Sequence, residues 1–157
     1  MPVNDILKEQ DDLVSHAHRF FLWPRAWLGF ANNIPLAWQL NRLATVEAPN
    51  VPASPGVYSL LVRPEIADHP ACSYLMYVGK TRSLRRRFRE YLLREKQETG
   101  RPKIFRLLMK YPDHVWFCFA NTPLDAIDEL EDALIRAYMP PMNDQFPVEV
   151  RRVIGAF

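Results

Sequence analysis

The chain has 157 residues, 48% of them hydrophobic, 12% aromatic and 24% charged, with a formal net charge of +2. These proportions suit one domain with a small appendage and exclude a largely disordered chain. The two cysteines, Cys72 and Cys118, form no CxxC pair, which speaks against a zinc or thiol-redox site and for two free thiols.

The N-terminal MPVNDILKEQDDLV has no basic segment leading into an apolar run. No secretory signal is therefore expected, and a cytoplasmic protein is the simpler reading. FFLWPRAWLGFANNIPLAW, residues 20–38, is apolar but broken by Pro24, Arg25, Asn32, Asn33 and Pro35. That pattern reads as a core-packing or partner-binding surface and not as a membrane span. Residues 1–45 are expected to be helical, with Ile6, Leu7, Leu13 and Val14 on one stripe and a second short helix starting after Pro35. EAPNVPASPG, residues 47–56, holds three prolines and a glycine. It marks the boundary between an aromatic-rich helical extension, 1–50, and a main domain, 51–157.

Three strands are expected beyond it: GVYSLLV (56–62), YLMYVGK (74–80) and HVWFCFAN (114–121), each short and rich in β-branched or aromatic residues. The polar loop RPEIADHPACS separates the first two. Helices are expected from Ser83 and around Lys103–Lys110, and a further helix follows the third strand. The fold class is therefore α+β, a small three-stranded antiparallel sheet flanked by helices.

Charge is unevenly spread. From Lys80 to Lys110 there are twelve basic residues and three acids; from Asp125 to Asp132 there are five acids and no base. The basic run implies a polyanion partner, or else a solvated charged face. Within it, Ser83 is placed to cap a helix whose Leu84, Phe88, Tyr91 and Leu92 form an inward stripe. Arg86 and Arg89 point away from that stripe, Arg87 lies at its edge beside Tyr91, and Arg85 flanks its other side. A half-buried arginine needs an anion, which here is either a core-edge carboxylate or a phosphate.

On the acidic helix, Thr122 is expected to cap, and Ile127, Leu130, Leu134 and Tyr138 to face inward. Glu131 falls on the apolar side, where a carboxylate must be paired, for instance with Arg87, or must bind a metal. Asn143 follows the helix-stopping YMPP and suits an Asx turn. Tyr58 and Tyr77, on neighbouring strands, suit a cross-strand aromatic pair.

Together these residues resemble the GIY-YIG nuclease superfamily. Gly56-Val57-Tyr58 and Tyr77-Val78-Gly79 are mild variants of its two name motifs, and GKTRSLRRRFREYL is similar to the following segment of its repair-type members. The resemblance spans about residues 54–145 and includes Lys80, Arg87, Glu131 and Asn143 in order. Tyr91 stands where many members carry histidine, as in the repair-type ones, and the loop between the motif tyrosines is longer than usual.

The resemblance implies a metal-dependent DNA endonuclease in repair, restriction or defence, or mobile-element biology. Glu131 would hold one Mg²⁺ or Mn²⁺ and Arg87 a phosphate oxygen. Tyr58 would be the general base, helped by the positive field of Lys80, while Tyr77 would orient water or phosphate and Asn143 the phosphate or the acidic helix. Gly79 would clear room for phosphate, and Arg82, Arg85, Arg86, Arg89 and Arg94 would contact the DNA backbone. The alternatives are a non-catalytic nucleic-acid-binding module, or a subunit of an assembly that docks or self-associates through residues 1–45.

Overall fold

The computed structural model describes residues 3–66, 69, 72–93, 100–143, 146, 148, 151, 152 and 155. Its elements run α1 (Val3–Ser15), α2 (Pro24–Leu28), β1 (Gln39–Arg42), a 3-10 turn (Thr45–Asn50), β2 (Gly56–Val62), β3 (Tyr74–Thr81), α3 (Leu84–Leu92), α4 (Pro102–Lys110), β4 (Val115–Asn121) and α5 (Ile127–Tyr138).

The sheet has four antiparallel strands in the order β1-β4-β2-β3, one more than the sequence reading expects. The extra strand is QLNR, which pairs Gln39 with Phe119 and Arg42 with Trp116. It lies where helix was expected. Four polar-leaning residues on a sheet edge carry little strand signal, and the partner strand, not local propensity, decides their state. The second helix starts on Pro24, not after Pro35, because proline's fixed φ and missing N–H suit a first helical turn. The proline-rich 47–56 stretch is also more than a spacer, since Val51 is fully buried in the main core.

β2 is buried on both faces from Gly56 to Leu60, as its central place requires. Alternation along it sends Tyr58 and Leu60 to one core, with Phe117 and Phe119 of β4, Leu84, Phe88 and Tyr91 of α3, and Ile104, Leu107 and Leu108 of α4. It sends Val57 to the other core, with Val78, Ala120 and the Leu130, Leu134 and Ile135 side chains of α5. The result is three layers: α3 and α4, the sheet, then α5.

Ser83 caps α3 as expected, its side chain accepting from the Arg86 N–H. Thr122 does not cap α5; its hydroxyl turns back to the Ala120 carbonyl at 3.1 Å, and α5 begins later, at Ile127. Ile127, Leu130 and Leu134 face inward, but Tyr138, the last residue of the helix, stays 47% exposed, while Ile135 packs inward.

Gly56 is needed for close approach. A Cβ there would stand 2.4 Å from the Ala120 carbonyl oxygen and 2.8 Å from Leu84 Cδ1.

β3 is a sheet edge, so one side of its backbone lacks a strand partner. The turn after α5 supplies one. Met142 N–H donates to the Met76 carbonyl at 2.9 Å. The Asn143 side chain then pairs with Val78 twice: Nδ2 donates to the Val78 carbonyl at 2.9 Å, and Val78 N–H donates to Oδ1 at 3.0 Å. The carboxamide thus mimics a neighbouring strand, in place of the local Asx turn expected. Met139 enters this turn in the left-handed region (φ 46°) as the cap of α5.

Asn143→Asp should keep the acceptor and lose the donor, stranding a buried carbonyl at a destabilisation of about 1–3 kcal/mol. The expected result is a melting temperature lower by roughly 3–10 °C in thermal unfolding followed by circular dichroism. An unchanged melting temperature would remove this edge pairing from the account of stability.

Candidate active site

Alternation along β3 places Tyr77 and Gly79 opposite Leu60 and Tyr58 on the α3/α4 face, and Lys80 opposite Val57 on the α5 face. A cleft of about 520 Å³ opens around this edge strand. Tyr77, Arg101 and Ile104 line it from one side, Lys80, Glu131 and Asp132 from the other, with Asn143 between.

On the α5 face, Glu131 has a 15% exposed side chain and pairs with Lys80 Nζ at 2.7 Å. Lys80 also meets Asp128 at 2.8 Å, one helical turn earlier. Burial pushes the Glu131 carboxyl up from its ordinary value, and the Lys80 hydrogen bond pulls it back. The hydrogen bonds from Asp128 and then Glu131 hold the Lys80 ammonium well above its ordinary range. The ion pair of Glu131 is therefore with Lys80 and not with Arg87, as the sequence reading had entertained. The reason is topological: Arg87 belongs to α3, and Glu131 to the helix on the opposite face.

On the α3/α4 face three tyrosines meet. Tyr58 is 0% exposed, stacked on Phe117 at 4.9 Å between ring centroids. Its hydroxyl lies 2.7 Å from that of Tyr91, and its ring 6.1 Å from that of Tyr77. Arg101 Nη1 donates to the Tyr91 hydroxyl at 3.2 Å and faces the Tyr77 hydroxyl at 3.5 Å. Burial, and next the neighbouring phenols, push all three tyrosines up from their ordinary values, Tyr91 to about 12. Arg101 works against this at each of them, and Arg87 at Tyr58 and Tyr91.

Two expectations change here. The cation expected beside Tyr58 is Lys80, yet the cations acting on it are Arg87 and Arg101, because Lys80 points to the other face. Gly79 was expected to clear room for phosphate. A Cβ there would instead lie 2.6 Å from Tyr58 Oη and 2.8 Å from Tyr77 Cε1, so the space it leaves is filled by phenol rings.

Arg87, with an 18% exposed side chain, pairs with Glu90 at 2.8 Å, and its buried Nε has no hydrogen-bond partner among the described residues. It lines a second hollow of about 370 Å³ with Lys80, Thr81, Arg82 and Arg86. Lys80 stands between the two hollows. Arg82, Arg86 and Arg89 are exposed, as a backbone-contacting set requires. Arg85 is not free for that task in the same way, because its Nε donates to the Val51 carbonyl at 2.7 Å. Arg94, and residues 67, 68, 70 and 71 of the loop before β3, lie outside the described residues.

The structure brings Tyr77, Lys80, Glu131 and Asn143 together around β3, with Tyr58 buried behind Tyr77 and Arg87 in the second hollow. The motifs give no role to Asp128 or to Arg101. Asp128 was within reach, since its spacing of three from Glu131 puts both on one helix face. Nothing local marked Arg101. Among the described residues no helix is long and apolar enough to cross a membrane.

A family model described as the UvrC-like GIY-YIG domain matches residues 54–144. UvrABC system protein C of Synechococcus sp. (strain JA-3-3Ab) is 34% identical over 95 residues, covering 59% of this chain and 13% of that protein. UvrABC system protein C of Rhizobium meliloti (strain 1021) is 30% identical over 139 residues, covering 86% of this chain and 18% of that protein. The chain thus spans less than a fifth of the length of these relatives. Among solved structures, a point mutant of the GIY-YIG N-terminal endonuclease domain of UvrC from Thermotoga maritima, bound to its catalytic divalent cation, is 22% identical. That match covers 64% of this chain and 93% of that one at a TM-score of 0.44. With the family model matched over more than half of the chain, the chain belongs to the UvrC-like GIY-YIG domain family.

Proposed function

We propose that this protein is a DNA endonuclease of the repair type, hydrolysing phosphodiester bonds at the cleft around β3. One observation carries the reading. A half-buried carboxylate, Glu131, and the cations Lys80 and Arg101 converge with the Tyr77 phenol on one open cleft.

The donor set fits a hard divalent cation such as Mg²⁺ or Mn²⁺. Among the described residues there is no group of three or more histidine, cysteine or acidic side chains that could hold a metal. Mg²⁺ commonly takes one or two carboxylates and completes its shell with water and substrate phosphate. Glu131 would be that carboxylate. When bound, such an ion offsets charge on the scissile phosphate and the leaving oxygen.

The chain's own residues do the rest. Asp128 gives the Lys80 ammonium a second partner, so Glu131 can turn to a cation without stranding Lys80. Arg87 lines the second hollow and offers a guanidinium fork suited to a phosphate oxygen. Tyr77 is the member of the tyrosine group that lines the cleft, whereas Tyr58 is sealed behind it. In this reading the phenol that orients the attacking water is Tyr77 and not the fully buried Tyr58, with Tyr58 and Tyr91 as its support. Water oxygen forms the new bond to phosphorus as the bond to the leaving nucleotide oxygen breaks, the water proton passing to solvent in the open cleft and the leaving oxygen taking a proton from the same solvent.

Arg82, Arg86 and Arg89 grip the DNA backbone beside the second hollow. No separate base-reading element is described, and cutting guided by DNA structure is the reading that follows. The names of the relatives support a place in a larger repair assembly. The exposed Trp23, Trp27 and Trp38 of the N-terminal segment are the proposed docking surface for such a partner or for a second copy.

Labelled duplex, single-stranded and forked DNA, incubated with Mg²⁺ or Mn²⁺, tests the reading. The wild type should cut, and Glu131→Gln should lose activity by roughly a hundredfold or more while still binding DNA. Salt-sensitive binding by both proteins with no cutting by either would point to a non-catalytic binding module. In fluorescence anisotropy across a salt series, replacing Arg82, Arg86 or Arg89 with Gln should weaken binding to all sequences alike. Each loss should reduce the slope of log K against log salt by about 1. Unchanged slopes would move the DNA path elsewhere.

A further inference from the structure

Arg101 immediately precedes α4 and belongs to neither name motif nor to the arginine helix. Its hydrogen-bond partners are phenols: Tyr91 at 3.2 Å and Tyr77 at 3.5 Å. The other nearby cations are engaged differently. Lys80 is held by Asp128 and Glu131 on the opposite face of the sheet, and Arg87 by Glu90. Tyr91 in turn shares a 2.7 Å hydrogen bond with Tyr58. One guanidinium thus joins the phenol that lines the cleft to the two that are buried behind it.

We propose that Arg101 is a positioning residue for the hydrolysis, acting through Tyr91 to hold Tyr77 in place at the cleft. The proposal rests on the nuclease reading above.

The chemistry of the groups carries it. A guanidinium only donates hydrogen bonds, so each phenol oxygen facing Arg101 must present a lone pair to it. Arg101 therefore fixes where the Tyr77 hydroxyl oxygen sits at the wall of the cleft. Arg101 is also half-buried, and a half-buried guanidinium in a ring of phenols strengthens each hydrogen bond it gives. The groups facing it are Tyr58 from β2, Tyr77 from β3 and Tyr91 from α3. Lysine could supply the charge but not the rigid planar guanidinium that fixes Nη1 between the two hydroxyls.

The test is steady-state cleavage of the preferred DNA by wild type, Arg101→Gln, Arg101→Lys, Tyr91→Phe and the Arg101→Gln/Tyr91→Phe double variant, with folding checked by circular dichroism. Arg101→Gln should lower kcat about 10- to 100-fold with KM changed less than about twofold, the pattern of an interaction that matters in the transition state. Arg101→Lys should recover part of the loss, and it carries the test if the Gln variant does not fold. In the Tyr91→Phe background, removing Arg101 should change kcat by less than about threefold, because residues acting through one another are not additive. The same loss in both backgrounds, a rise in KM at constant kcat, or unchanged cutting would overturn the positioning role and leave the nuclease reading standing. A wild type that cuts none of the DNAs would overturn the nuclease reading and this inference with it.

Discussion

Strand β3 is the constraint on which the site depends. Its residues alternate between two faces, so one short segment delivers a phenol to the aromatic core and an ammonium to the acidic helix. Being an edge strand, it also leaves room for a cleft to wrap around it. An unpaired edge would be free to shift, and a shift of one residue would exchange Tyr77 and Lys80 between the faces. The carboxamide of Asn143 prevents this by satisfying Val78 on both its backbone groups. An asparagine that reads in the family motif as a site residue thus acts first on the strand that carries the site.

The two faces impose different electrostatics. On the α5 side, carboxylates and an ammonium neutralise one another near solvent. On the α3/α4 side, Tyr58 and Tyr91 are shielded from water and kept protonated by burial, with arginines as the opposing influence. Gly79 belongs to the second side. Its missing side chain lets the Tyr58 and Tyr77 rings close on each other across the strand, so this motif glycine meets a packing requirement.

Much of this was legible in the sequence. The three longer strands, the capped arginine helix and the inward placement of Glu131 followed from apolar periodicity, because those segments are strongly patterned. Tyr58, Tyr77, Lys80, Arg87, Glu131 and Asn143 were legible as an ordered set. What failed was pairing across the sheet. The partner of Glu131 is Lys80 because strand parity assigns Lys80 to its face, and parity needs the strand register, which local pattern does not supply. The strand Gln39–Arg42 was missed because its state is set by β4. Arg101 was missed because it meets its tyrosines only when α4 packs beside α3.

The β2–β3 ladder is interrupted between Leu60 and Leu61, where Leu60 faces Tyr77 but Leu61 faces Leu75. The irregularity makes Met76 and Tyr77 share the aromatic core side and separates the ladder into two stretches. The stretch from Gly56 to Leu60 against Tyr77 to Thr81 fixes the register that the chemistry needs; the stretch toward residues 63–73 does not. Length changes in that connection are therefore decoupled from Tyr77 and Lys80. A lineage can lengthen this hairpin, or an engineer can graft a DNA-gripping peptide into it, without turning Tyr77 away from its cleft.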